Sequence, residues 1–179
     1  MAQDSYTQHC RQEADTAAFA KKLAISLQEF FLLHPQGHLN ISLEGDLGAG
    51  KTTFARHLIQ GLGFSGRVKS PTYTLCEPYP LIISDRKSSQ QDNITANHFD
   101  LYRMRDPLEW QEAGFAEHFD EAGFCLVEWP DKAKGTLPAF DITMQLTSGA
   151  DEHAREITIN AISQEGINIL KSLFSQSDE

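Results

Sequence analysis

Leu39-Asn40-Ile41-Ser42-Leu43-Glu44-Gly45-Asp46-Leu47-Gly48-Ala49-Gly50-Lys51-Thr52-Thr53 carries three signals in one unbroken stretch. Leu39, Ile41 and Leu43 alternate with Asn40, Ser42 and Glu44, a strand pattern that ends at Gly45. From Thr52 to Leu62 the chain reads as a helix, stopped around Gly61 and Gly63. Between the two, Gly45, Gly50, Lys51 and Thr52 satisfy the phosphate-loop pattern GxxxxGK[ST] in the context that the pattern requires. The glycines let consecutive backbone N–H groups turn towards phosphate oxygens, and the helix N-terminus adds positive potential. Lys51 then places a cation between the β and γ phosphates of a nucleotide, and the Thr52 hydroxyl is suited to ligate Mg²⁺. Gly45, Asp46, Leu47, Gly48, Ala49, Gly50, Lys51, Thr52 and Thr53 are the expected nucleotide-binding residues.

Upstream, Asp15 or Thr16 is a suitable cap for a helix using Phe19, Leu23, Leu27 and Phe30 or Phe31, closed by Pro35 and Gly37. Downstream, Val68 to Leu75 has strand-like composition broken by Pro71. Leu81-Ile82-Ile83 is compatible with a strand, whereas the polar run that follows reads as an exposed excursion over about 84–97. A further strand is expected around His98 to Tyr102, and a short helix opened by Pro107 carries Leu108 and Trp110. Phe124-Cys125-Leu126-Val127 is a continuous apolar run of buried-strand type. Phe140, Ile142, Met144 and Leu146 alternate, as do Ile157, Ile159 and Ala161, with Ser148-Gly149-Ala150-Asp151 between them: a hairpin. Ser163 caps a last helix using Ile167, Leu170 and Phe174. The expected architecture is α/β, a single three-layer P-loop NTPase domain over 1–179 with a mixed parallel and antiparallel sheet. Short polar tails are expected at 1–14 and 175–179.

The 179 residues are 40% hydrophobic and 22% charged, enough apolar material for a core. With 25 acidic against 15 basic side chains the net charge is -10, which argues against charge-driven gripping of nucleic acid by the chain alone. Cys10, Cys76 and Cys125 have no metal or CxxC spacing and read as free thiols in a reducing compartment. The N-terminus lacks a signal-peptide pattern, and no apolar run approaches the ~20 residues that span a bilayer. A soluble, cytoplasmic protein is expected.

A magnesium ion needs oxygen ligands beyond phosphate and Thr52. Glu128 follows the apolar run 124–127, so it emerges at the carboxyl end of a buried strand, where sites of α/β folds lie. Asp100, in His98-Phe99-Asp100-Leu101-Tyr102-Arg103, is the second candidate, with a surface ion pair to Arg103 as its plain alternative. Glu128 is favoured as the direct ligand, and Asp100 as an orienter of water or as an acceptor behind the ligands. Ser70-Pro71-Thr72-Tyr73 is suited to present Thr72 to the γ-phosphate, and equally reads as a proline-kinked edge strand. His34, His38, His57 and His118 lack metal spacing and read as solvated or core histidines. Without an Asn-Lys-x-Asp motif, a dedicated GTPase is disfavoured.

In combination, Gly45 to Thr53, Ser70-Pro71-Thr72-Tyr73, His98 to Arg103 and Glu128-Trp129-Pro130 resemble the TsaE (YjeE) family, the ATPases of bacterial tRNA threonylcarbamoyladenosine synthesis. The resemblance runs from about Asp15 to Ile162. It implies ATP or ADP with Mg²⁺ as cofactors and TsaD and TsaB as partners. The TsaB–TsaD pair modifies adenosine 37 of tRNAs reading codons that begin with A, so tRNA is met indirectly. Carried over by motif, Lys51 and Thr52 bind phosphate and metal, and Thr72 faces the γ-phosphate. Asp100 and Glu128 serve metal and water, with Trp129 supporting Glu128. Weak hydrolysis by the isolated chain is implied. A small-molecule kinase and a non-catalytic, nucleotide-gated interaction module stay open as alternatives.

Overall fold

The structure is a computed structural model that describes residues 4–71 and 73–176. Seven strands among them form one sheet: β1 (Ser5–Cys10), β2 (His38–Glu44), β3 (Cys76–Ser84), β4 (Gln91–Asp100), β5 (Gly123–Glu128), β6 (Ile142–Ser148) and β7 (Arg155–Ala161). Their order across the sheet is β1-β7-β6-β2-β5-β4-β3. β2 is parallel to both β5 and β6, and β5 is parallel to β4; the outer pairs β6–β7, β7–β1 and β4–β3 are antiparallel. The helices are α1 (Glu13–Leu33), α2 (Lys51–Gly61), the single turn α3 (Glu109–Glu112) and α4 (Gln164–Ser175). This is the expected mixed α/β sheet.

Side chains alternate across a strand, so each strand feeds two faces. On β5, Phe124 and Leu126 join a core built with α1, α2 and α4. Cys125 and Val127 join a smaller cluster with Phe99, Trp110 and Phe119, beneath α3 and the 3-10 turns Ala116–Phe119 and Pro130–Ala133. Coverage of both faces also buries Asn40 and Ser42 of β2, the polar half of the alternation; the Asn40 amide donates to the Ala139 carbonyl at 3.2 Å.

Several elements differ from the sequence reading. Residues 5–10 are not a tail but the edge strand β1, which pairs with β7 from Ser5↔Asn160 to Cys10↔Arg155. α1 begins at Glu13, so Asp15 lies inside its first turn; its carboxylate accepts the backbone N–H of Arg11 at 2.9 Å and of Gln12 at 3.3 Å. Val68 to Leu75 forms no strand among its described residues, and Leu75 takes a left-handed conformation at φ 64°. The excursion at 84–97 is instead most of a hairpin, Ser84↔Gln91 to Cys76↔Phe99, whose turn is confined to 85–90. Pro78 and Pro80 are tolerated because β3 is an edge strand. In α4, Ser163 does cap the helix, accepting the Gly166 N–H at 3.0 Å, but Ile169, Leu170 and Leu173 are the buried face and Phe174 is exposed. The end of the expected C-terminal tail, 177–179, lies outside the described residues.

Candidate functional site

β2 delivers the chain to the carboxyl edge of the sheet and α2 carries it away, so 45–50 must reverse direction in a few residues. Gly45 turns at φ 151°, and a Cβ there would stand 2.4 Å from the Leu146 carbonyl oxygen. Gly50 takes the left-handed N-cap position of α2 at φ 98°. The Lys51 side chain curls back over this turn and donates to the carbonyls of Gly45 at 2.5 Å and Asp46 at 2.9 Å. Burial pushes its ammonium pKa down, opposed by the negative charges of Glu128, Asp100, Asp46 and Asp131. The Thr52 hydroxyl, in the first turn of α2, donates to Glu128 Oε1 at 3.1 Å and to Oε2 at 3.2 Å.

Strand periodicity explains why the acids meet that helix. Glu128 lies two residues beyond Leu126, and Asp100 lies four beyond Ala96, so both project to the α1–α2 side. The parallel register sets Asp100 directly beside Glu128. Asp100 accepts the Ser70 hydroxyl at 2.8 Å and the Tyr102 N–H at 3.1 Å, and these contacts take the place of the surface pairing with Arg103 considered from sequence. Glu128 is 2% exposed and also meets His98 Nε2 at 2.5 Å. Trp129 follows in a left-handed conformation at φ 58°, a strained setting for a non-glycine residue, and Pro130 turns the chain away from the sheet. Lys51, Thr52, Thr53, Ser70, Asp100, Glu128 and Trp129 line one cleft of about 470 Å³.

The family model described as "Threonylcarbamoyl adenosine biosynthesis protein TsaE" matches residues 10–157, a span containing every one of these side chains. The chain belongs to the TsaE family. It is 39% identical over 172 residues to the tRNA threonylcarbamoyladenosine biosynthesis protein TsaE of Haemophilus influenzae, covering 94% of this chain and 98% of the relative. The protein of the same name from Bacillus subtilis is 37% identical over 122 residues, 68% of this chain and 69% of the relative. Among solved structures, Bacillus subtilis YdiB superposes with a TM-score of 0.69 at 27% identity, over 95% of this chain and 94% of that one. The α/β P-loop architecture expected from sequence is therefore that of the family.

Of the site residues carried over from the TsaE motifs, Lys51, Thr52, Asp100 and Glu128 converge on the cleft. Thr72 lies outside the described residues; its neighbour Ser70 reaches Asp100, and Tyr73 stacks under Arg103 at 4.6 Å. Trp129 lines the cleft with the Lys51 ammonium 4.2 Å from its ring centre. Two further residues escaped the sequence reading. His98 stands two residues before Asp100, a spacing that places both on one strand face. Arg155, at the start of β7, donates to the Gly48 carbonyl at 3.2 Å and lines the cleft; nothing local in the sequence links it to a loop more than a hundred positions away. Among the described residues no helix is long and apolar enough to cross a membrane.

Proposed function

We propose that this chain binds ATP with Mg²⁺ in the Lys51–Glu128 cleft and hydrolyses it to serve tRNA threonylcarbamoyladenosine synthesis, acting with TsaB and TsaD in the cytoplasm. The observation that carries the reading is the Thr52 hydroxyl held against the Glu128 carboxylate at 3.1 and 3.2 Å, at the N-terminus of the helix that follows the glycine turn.

The residues fit the group. No cluster of three or more His, Cys, Asp or Glu among the described residues is arranged to hold a metal by itself. Two protein oxygens plus phosphate and water suit Mg²⁺, which keeps several waters and binds few carboxylates. When bound, Mg²⁺ supplies charge neutralisation between the phosphate oxygens. Thr52 and Glu128 would hold it, Glu128 directly. Lys51 brings a cation to the phosphates, and the backbone N–H groups from Gly45 to Thr53 cradle them. Asp100, beside Glu128 and fixed by Ser70 and Tyr102, accepts a hydrogen bond from the attacking water and keeps it in line. Thr72 retains the γ-phosphate role that the family motif assigns it.

The role in tRNA modification is supported by the family and by the names of relatives at 39% and 37% identity. The net charge of -10 supports work through protein partners rather than by direct tRNA grip. The test is phosphate release with and without TsaB–TsaD, together with modified-nucleoside levels in cells carrying the native chain or Lys51→Ala. Low release alone, stimulation by the pair and loss of modification with Lys51→Ala are expected. Normal modification with Lys51→Ala would refute the reading. Phosphate delivered to a metabolite would instead favour a kinase, and intact ATP in a cycling complex a nucleotide-gated module.

A further inference from the structure

We infer that His98 is a positioning residue that holds the Glu128 carboxylate in place for a cation. The inference rests on the reading that Thr52 and Glu128 bind Mg²⁺.

His98 lies on β4, two residues before Asp100, and its side chain is fully buried at 0% exposure. Its Nε2 is 2.5 Å from Glu128 Oε2, and Glu128 is itself sealed from solvent. A carboxylate only accepts, so the hydrogen of this contact belongs to Nε2. Nδ1 is buried without a hydrogen-bond partner. The imidazole thus donates to Glu128 through Nε2.

The consequence lies in the orientation of Glu128. A glutamate has three side-chain torsions, the last of them broad. Thr52 touches both carboxylate oxygens almost equally, at 3.1 and 3.2 Å, and does not choose between them. His98 does choose: it engages Oε2 alone and leaves Oε1 to the Thr52 side of the cleft. Lys51 is close enough for its charge to interact with Glu128, and is the competing partner for that carboxylate. Were Glu128 to swing onto Lys51, the pairing would withdraw both the carboxylate from the metal and the ammonium from the phosphates. His98 restrains the acid from that movement.

The test is isothermal titration of a non-hydrolysable ATP analogue, in EDTA and in Mg²⁺, with melting temperatures measured in parallel. In the native chain Mg²⁺ strengthens binding. In His98→Leu that strengthening falls by about tenfold or more, the range found when the outer partner of a metal ligand is removed. Affinity in EDTA stays unchanged. His98→Gln, which keeps an N–H donor on a side chain of similar reach, recovers most of the Mg²⁺ effect. His98→Asn, with a shorter side chain, does not, and it carries the test if His98→Leu fails to fold. Undiminished strengthening by Mg²⁺ in His98→Leu or His98→Asn overturns the inference alone. Equal losses in EDTA and Mg²⁺ that follow the melting temperature also overturn it, since they mark a purely structural histidine. A native chain indifferent to Mg²⁺ removes the metal reading itself, and the inference with it.

Discussion

The Lys51 ammonium sits 4.2 Å from the centre of the Trp129 ring while donating to the Gly45 and Asp46 carbonyls of its own loop. The ring thus covers a buried cation of the cleft, and a nucleotide phosphate would draw on the same ammonium. Nucleotide addition should change tryptophan emission in the native chain and in Trp110→Phe, and leave it unchanged in Trp129→Phe. Trp110 is remote from the exchange: it is buried in the opposite cluster with its N–H donating to Thr136 at 2.8 Å. A fluorescence titration of the three proteins checks this.

Gly45 and Gly50 should fail in different ways. Alanine at 45 would press its methyl against the Leu146 carbonyl at 2.4 Å, a backbone atom of the neighbouring strand. Gly45→Ala should therefore lose roughly 2–4 kcal/mol of stability, from strain and overpacking together. At 50 the nearest atom is Arg155 Nε at 3.1 Å, the end of a flexible side chain. Gly50→Ala should cost only about 1–2 kcal/mol of stability, from its left-handed backbone, but weaken nucleotide binding severely. Denaturant melts and nucleotide titrations on the pair would separate the two outcomes.

The thiols set a high-pH limit on the fold. Burial raises the Cys76 pKa from 9.0 to about 12, and burial also raises Cys125, its neighbour in the smaller core cluster. Between about pH 9 and 12 the unfolded chain releases protons that the folded chain retains. Stability from these groups is thus complete below pH 9 and is lost as pH rises towards 12. Cys76→Ala should flatten that alkaline decline in denaturant melts. In the native state at pH 8, a thiol reagent should label none of Cys10, Cys76 and Cys125, all free and buried, until denaturant is added.

Removal of residues 1–10 should lower the melting temperature clearly. The deletion strips six strand pairings from β7, exposes an edge and removes the contact of Tyr6 with Phe174 at 4.9 Å. A thermal melt of the shortened chain tests it, and an unchanged midpoint would show that β1 contributes nothing.

What could be read in advance follows from where the stabilising information lies. β2, the glycine turn, α2, β5 and the β6–β7 hairpin are specified locally, by periodicity, capping and turn residues, and each appears within a residue or two of its expected place. β1 has no such signature: Ser5 to Cys10 is polar and half exposed, and its strand exists only through pairing with β7. β3 was legible only at Leu81-Ile82-Ile83; its first half carries Pro78 and Pro80, which an edge strand accommodates and a central one would not. In the site, Lys51 and Thr52 were legible from a motif and Glu128 from its place after a buried run. Arg155 was not, because its approach to Gly48 is created by the hairpin rather than by spacing. His98 was legible in principle from the two-residue period it shares with Asp100.

The Arg155 contact ties the phosphate loop to the margin of the molecule. Arg155 reaches Gly48 from β7, the same residue stands opposite Cys10, and β7 is held in register from outside by β1. Loop, arginine and N-terminal strand form a mechanical linkage running from Gly48 to β1. A fusion or tag that loads β1 would act as a lever on the phosphate loop, and α4 shares the same purchase through Phe174 on Tyr6.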